Sequence, residues 1–185
     1  MIDSMPFHAK SWSEFTRRHE VAMDIDEVMR RTTGRNGVEC MRELFGPQLA
    51  EDRALALVAE KEGIYRELFA PVFAEVRGFR RFAGQARERG LKLAVGTAGD
   101  RHNIEFALAR LQLEPPPHAV VGGDEGQRGK PDPAIFLEAA RRAGMRAVAV
   151  FTTHSPADLA GSHVVAQVRD YEELMKTKFL ESLDA

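Results

Sequence analysis

Over residues 8–76 the apolar positions fall at helical spacing. Trp12, Phe15, Val21 and Met23 form an early apolar face, and Asp24 or Asp26 is placed to cap the next helix, which runs to Arg31. Thr32, Thr33, Gly34 and Arg35 interrupt the pattern, which resumes over 38–45. Residues 51–76 then carry Leu55, Leu57, Val58, Ile64, Leu68, Val72 and Phe73 on a helical repeat.

After Gly78 the grammar changes. Phe79, Phe82 and Ala86 predict a helix that ends at Gly90, and short apolar runs at 91–95, 119–121, 147–151 and 164–168 predict strands. Helices are predicted between them at 102–111 and 133–142, with a last one opening at 171–175. Strands alternating with helices indicate an α/β domain with a parallel sheet, and the all-helical stretch before it reads as an insertion riding on that domain. No internal repeat or low-complexity tract interrupts this order.

Composition narrows the picture. The chain has 185 residues, 44% of them hydrophobic, which suits one domain or a small core with an insertion. A net charge of −2 and a pI near 6.3 favour neither nucleic acid nor a membrane surface. No apolar run approaches the roughly 20 residues of a spanning helix, and the opening MIDSMPFHAKSW has no basic n-region. The lone cysteine, Cys40, cannot form an internal disulfide, so a cytoplasmic protein is the expectation.

Two loops carry candidate chemistry. In the first, Thr97 offers a hydroxyl among the small residues Gly96, Ala98 and Gly99, at a strand end where ligands bind in open α/β sheets. The plain alternative is a strand-to-helix turn with Asp100 as the helix cap. In the second, Pro133 suits a first helical turn and Asp132 a cap, but Lys130, between turn formers and ahead of a helix, is placed to meet an anion. His8, His19, His102, His118, His154 and His163 lack metal spacing and read as surface or capping residues. Asp124 and Glu125, ahead of the lysine motif, read equally as a solvated turn or as acids approaching an active site, and Phe79, Phe82, Phe106 and Phe136 read as core.

Taken together, a strand ending Gly-Thr-Ala and a Gly-Lys-Pro-Asp-Pro-x-Ile-Phe motif about 30 residues later resemble the haloacid dehalogenase superfamily. Residues 2–8, Ile-Asp-Ser-Met-Pro-Phe-His, are similar to the stretch directly after that family's Asp-x-Asp-Gly-Thr signature. The helical insertion falls where the β-phosphoglucomutase-like branch carries its cap, and Thr32-Thr33-Gly34-Arg35 resembles the cap loop that meets substrate. The resemblance implies a Rossmann-like α/β core from residues 1–15 and 78–185, with a helical cap at 16–77. It also implies Mg²⁺-dependent phosphoryl transfer, through an aspartyl-phosphate, from a small phosphorylated metabolite. Thr97, Ala98 and Lys130 match the phosphate-binding positions and Arg35 the cap contact. Such chemistry rests on positioning and on electrostatic stabilisation of spread negative charge, with carboxylates holding the metal.

The sequence departs from the pattern at two places. Met1 falls where the family's signature would just have ended, so the first strand and both aspartates are expected to be missing, as after an internal start or an N-terminal deletion. Asp24-Ile25-Asp26 is the sole Asp-x-Asp, but it lacks the preceding strand and reads as a helix cap. Residues 136–145 run directly into 147–150, as if two helices were spliced and a strand with its acidic loop removed. Thr152, Thr153 and His154 then follow where carboxylates belong, with Asp158 the nearest acid beyond, and Asp3 is the remaining carboxylate near the nucleophile's place. The expectations are a metal site without ligands, turnover absent or severely impaired, and a sheet without its central strands. Self-association would cover the open strand edges. The competing reading is a non-catalytic remnant that binds a phosphorylated ligand or a protein.

Overall fold

The computed structural model describes residues 1–127, 130, 134–144, 147–150, 164–177 and 179. Asp132, Pro133, Asp158, His163 and the 152–154 segment lie outside the described residues.

Four helices build the first half. Helix α1 (Met5–Arg18) opens with Pro6 in its first turn, where a missing N–H costs nothing. Helix α2 (Ile25–Thr32) starts where the Asp24 carboxylate accepts from the Glu27 N–H. The Asp-x-Asp there is a cap, as its sequence context indicates. Helix α3 (Gly37–Phe45) opens on a capping box: Asn36 accepts from the Glu39 N–H and the Glu39 carboxylate accepts from the Asn36 N–H. Helix α4 (Glu51–Phe69) is shorter than its apolar repeat predicts, because Pro71 sits in the 3₁₀ turn Ala70–Val72 that ends it. The repeat also overstates the buried face. Leu57, Val58 and Ile64 are buried, whereas Leu55, Leu68 and Val72 face solvent.

These helices share one apolar cluster formed by Trp12, Phe15, Val28, Cys40, Met41, Leu57, Val58 and Ile64 among others. Trp12 and Phe15 therefore pack with the helical layer although α1 begins the chain. Ahead of α1, the backbone of residues 1–3 pairs antiparallel with 74–76: Val76 N–H donates to Met1 O at 2.8 Å and Asp3 N–H to Ala74 O at 3.1 Å.

The second half follows the expected alternation: α5 (Phe79–Glu88), β1 (Ala94–Gly96), α6 (Arg101–Leu111), β2 (Ala119–Val121), α7 (Ala134–Ala143), β3 (Ala147–Val150), β4 (Val164–Val168) and α8 (Tyr171–Lys176). The strand predicted at 91–95 is realised later and shorter. Leu93 is held by His118 instead, whose N–H donates to Leu93 O at 2.7 Å while its Nδ1 accepts from Leu93 N–H. Lys92 reaches sideways to the Ala143 carbonyl. Leu91 and Leu93 pack with Phe79, Phe82, Tyr171 and Leu174.

The strands form two parallel pairs, β1 with β2 and β3 with β4. Among the described residues no strand joins them. Helix α7 lies on β1 and β2 through Ile135, Ala139 and Val121, while α5 and α8 share the apolar cluster that includes Val148, Val150 and Val168. Among the described residues no helix is long and apolar enough to cross a membrane.

Candidate functional site

Strand β1 ends at Gly96, and the chain turns at once. Thr97 N–H still donates to Val121 O on β2, fixing the start of the turn to the sheet. The Thr97 Oγ1 accepts from Gly99 N–H at 3.1 Å, and Asp100 caps α6 by accepting from Asn103 N–H at 2.8 Å. Asp100 is thus a cap, as the plain reading of this loop has it. Neither the Thr97 hydroxyl proton nor the Ala98 N–H is given to an acceptor among the described residues. The close neighbour is Gly123: a Cβ there would lie 2.2 Å from Ala98 O, so only glycine lets β2's loop pass beneath Ala98.

Lys130 is linked to the same strand end through Phe136. Its Nζ lies 4.9 Å from the centre of the Phe136 ring, and that ring also abuts Gly96, where a Cβ would meet Phe136 Cδ1 at 3.0 Å. Phe136 is therefore the common neighbour of the strand end and the lysine. Burial pushes the Lys130 ammonium below its usual range, and among the described residues no carboxylate offsets that cost. The Met1 ammonium is lowered to about 6, first by burial and then by Lys130, with Glu75 opposing.

The helical layer reaches the lysine by backbone. Lys130 N–H donates to Gly34 O at 2.7 Å, and Gly34, at φ +87°, lies so close that a Cβ would sit 3.1 Å from Lys130 Cβ. The Thr32–Arg35 loop and the lysine predicted from sequence are therefore adjacent. The Arg35 side chain points elsewhere: its guanidinium is half-exposed and lies 3.7 Å from Glu43 on α3.

Carboxylates are scarce around these donors. Asp3 is exposed and pairs with residue 74 through its backbone only. Asp124 accepts from Arg101 N–H, and Glu125 accepts from Gly122 N–H and pairs with Arg142; the backbone bond first and Arg142 second hold the Glu125 carboxyl low. Among the described residues no three His, Cys, Asp or Glu side chains gather as a cation's ligands would. A hard divalent cation needs several oxygen ligands, so the described residues do not fit Mg²⁺.

The sequence reading missed a second polar group, buried between α1, α4 and α6. Lys61 is 2% exposed, with its Nζ 2.9 Å from His8 Nδ1, 2.8 Å from Glu62 Oε1 and 4.7 Å from the centre of the Trp12 ring. An ammonium only donates, so Nδ1 accepts and the His8 ring proton sits on Nε2. Burial first and Lys61 second depress His8 to about 3, with Glu62 opposing, so the imidazole is neutral. Its ring stacks on Tyr65 at 3.9 Å. Burial alone would raise Glu62, but the Lys61 ammonium and the hydrogen bond from Asn103 outweigh it and hold the carboxyl below its usual range. The signal for this group was present: Lys61 occupies a core position on the Leu57, Ile64, Tyr65 stripe of α4. Cys40, by contrast, is an inert thiol, raised to about 12 by burial, with Sγ donating to Thr32 O at 3.4 Å.

Sequence relatives agree with this architecture. The chain is 29% identical over 188 residues to the validoxylamine A 7'-phosphate phosphatase of Streptomyces hygroscopicus subsp. limoneus, covering 89% of this chain and 87% of that protein. It is 25% identical over 181 residues to hexitol phosphatase A of Escherichia coli K12, covering 90% and 77%. A crystal structure of a hydrolase from Pseudomonas syringae superposes with a TM-score of 0.76 at 18% identity, covering 96% of this chain and 92% of that one. The family model for haloacid dehalogenase-like hydrolases matches residues 1–161, and the chain belongs to that family.

Proposed function

We propose that this chain binds a small phosphate monoester between the Thr97–Ala98 turn and Lys130, under a helical cap that takes in α1 as well as the 16–77 stretch, since Trp12 and Phe15 pack with that layer and not with the α/β half. We further propose that phosphoryl transfer is absent or severely impaired in this form. The observation that carries the reading is a set of unspent donors. The Thr97 hydroxyl and the Ala98 N–H have no acceptor among the described residues, Phe136 links their strand end at Gly96 to the Lys130 ammonium, and no carboxylate among the described residues compensates that lysine. A tetrahedral anion would satisfy all three, and charge-assisted donors of this kind bind phosphate strongly. The same scarcity argues against turnover, because neither a nucleophilic carboxylate nor a Mg²⁺ ligand set faces the donors among the described residues.

The cap loop lies over Lys130 through Gly34, so the non-phosphate part of the ligand meets the Thr32–Arg35 loop, and Arg35 would have to leave Glu43 to reach it. The two relatives named above are phosphatases whose names give validoxylamine A 7'-phosphate and a hexitol phosphate, and a polyol phosphate suits this chain by analogy with the second. The test pairs binding of a hexitol phosphate with hydrolysis of a generic phosphate monoester, in Mg²⁺ and in EDTA. Saturable binding is expected, weakened by about 100-fold in Lys130→Ala, as losing one charge-assisted contact implies. Metal-dependent hydrolysis is not expected. Turnover that needs both metal and Lys130 would overturn the impairment, and folded protein that binds no phosphate ester would overturn the whole reading.

A further inference from the structure

Asn103 lies in the first turn of α6, immediately after the Thr97–Asp100 turn, and its side chain crosses to α4. Its Nδ2 donates to Glu62 Oε2 at 2.6 Å and its Oδ1 accepts from Arg66 Nη1 at 2.8 Å. Glu62 and Arg66 are one helical turn apart, the spacing at which they would otherwise pair with each other. A neutral amide instead sits between them and uses both of its ends. Its backbone N–H is held by Asp100, and its Cβ lies 3.4 Å from where a Cβ on Gly99 would be. On the far side, Glu62 Oε1 takes Lys61, which in turn holds His8.

We infer that Asn103 is a positioning residue that registers the turn bearing Thr97 against the helix bearing Lys61, so that the anion site and the buried His8–Lys61 pair are held as one body. The inference rests on the anion-binding reading for the first half of that statement only. Hydrogen-bond polarity makes it specific. Glu62 can only accept and Arg66 can only donate, so the group between them must do both, and an amide of this length is the side chain that can. Phe106 packs beside it on Tyr65 and Phe69, which brings α6 to α4 but sets no register along them.

The polarity gives a test that simple packing does not pass. Asn103→Asp puts a carboxylate against the Glu62 carboxylate. Glu62→Gln leaves two amides of which neither orientation satisfies Lys61, Arg66 and Asn103 together. Combining the two substitutions restores every partner. The amide introduced on α4 accepts from Lys61 and donates to the carboxylate introduced on α6, which also takes Arg66, and net charge equals that of the parent.

The experiment follows hydrogen exchange at residues 61–66 and 97–103 without ligand, and the affinity for inorganic phosphate, in the parent, both single variants and the double variant. Asn103→Asp is expected to lose protection in both segments together and to weaken phosphate binding by about tenfold, roughly 1.4 kcal/mol. The double variant is expected to recover both, a strongly non-additive cycle. Additive losses, or loss confined to 61–66 while 97–103 is unchanged, would overturn the inference. Coupled loss and recovery of protection in a protein that binds no phosphate would uphold the clamp and remove the anion-binding reading instead.

Discussion

His8 is the residue whose environment changes most from what its sequence context shows. In the sequence it is one of six scattered histidines. In the fold it is buried against Tyr65 and accepts a hydrogen bond from Lys61. Its folded pKa of about 3 lies below the ordinary value of 6.5, so between these limits the unfolded chain binds a proton that the folded chain refuses. The contribution to stability is therefore complete above pH 6.5 and is lost as the pH falls toward 3. By about pH 4 the loss is on the order of 3 kcal/mol. Thermal melts from pH 7 to pH 4 should show that decline, and His8→Gln should flatten it while lowering stability at pH 7. An acid profile unchanged by the substitution would mean the imidazole is not buried neutral. Lys61 was legible in principle, because a lysine on an apolar stripe is a buried charge until shown otherwise. Its partner was not, since His8 and Lys61 are 53 residues apart and meet only when α1 packs on α4.

Elements were legible to the degree that local chemistry decides them. Helices α2, α3 and α6 start at capping residues, and Asp24, Asn36 and Asp100 each carry the hydrogen bond their positions call for. Helix α4 departs from its apolar repeat because Pro71 removes a donor, and because Leu55, Leu68 and Val72 match the period without finding a neighbour. Strand β1 departs because its neighbour decides it: His118 takes over both backbone groups of Leu93. The α3 cap matters beyond its own helix, since Asn36 follows directly on the Thr32–Arg35 loop. Asn36→Ala should cost about 1 kcal/mol, or roughly 3 °C in Tm for a chain of this size. Asn36→Asp should cost little, because a carboxylate accepts the same bond. Equal losses from both variants in denaturant melts would show that the cap bond is not what matters there.

At the scale of the whole molecule, the family and the α/β class were legible from two loop motifs and the alternation of periods. What the sequence left open is how the sheet closes. Among the described residues the structure has two parallel pairs, and parallel strands are ordinarily covered and flanked on both sides. A two-stranded sheet is marginal alone, so each pair depends on its helices. The support is unequal. The helical layer buries Phe15, Val28, Met41, Leu57 and Ile64, whereas β1 and β2 lean on a small cluster of Val121, Ile135 and Ala139, and every β1 residue is only half-buried. Opening free energies scale with the apolar surface an element must expose, so the strand pair belongs at the low end and the helical layer near the global value. Native-state hydrogen exchange in rising denaturant should therefore show Val95 and Thr97 exchanging through a local opening of small denaturant slope, while Val58 and Ile64 wait for global unfolding. Raising the protein concentration discriminates further. If second copies cover the open strand edges, protection at Val95 should climb with concentration, and if it stays flat the edges are solvated in the monomer. Exchange of Val95 only through global unfolding at every concentration would mean that the two pairs and the helical layer form a single cooperative unit.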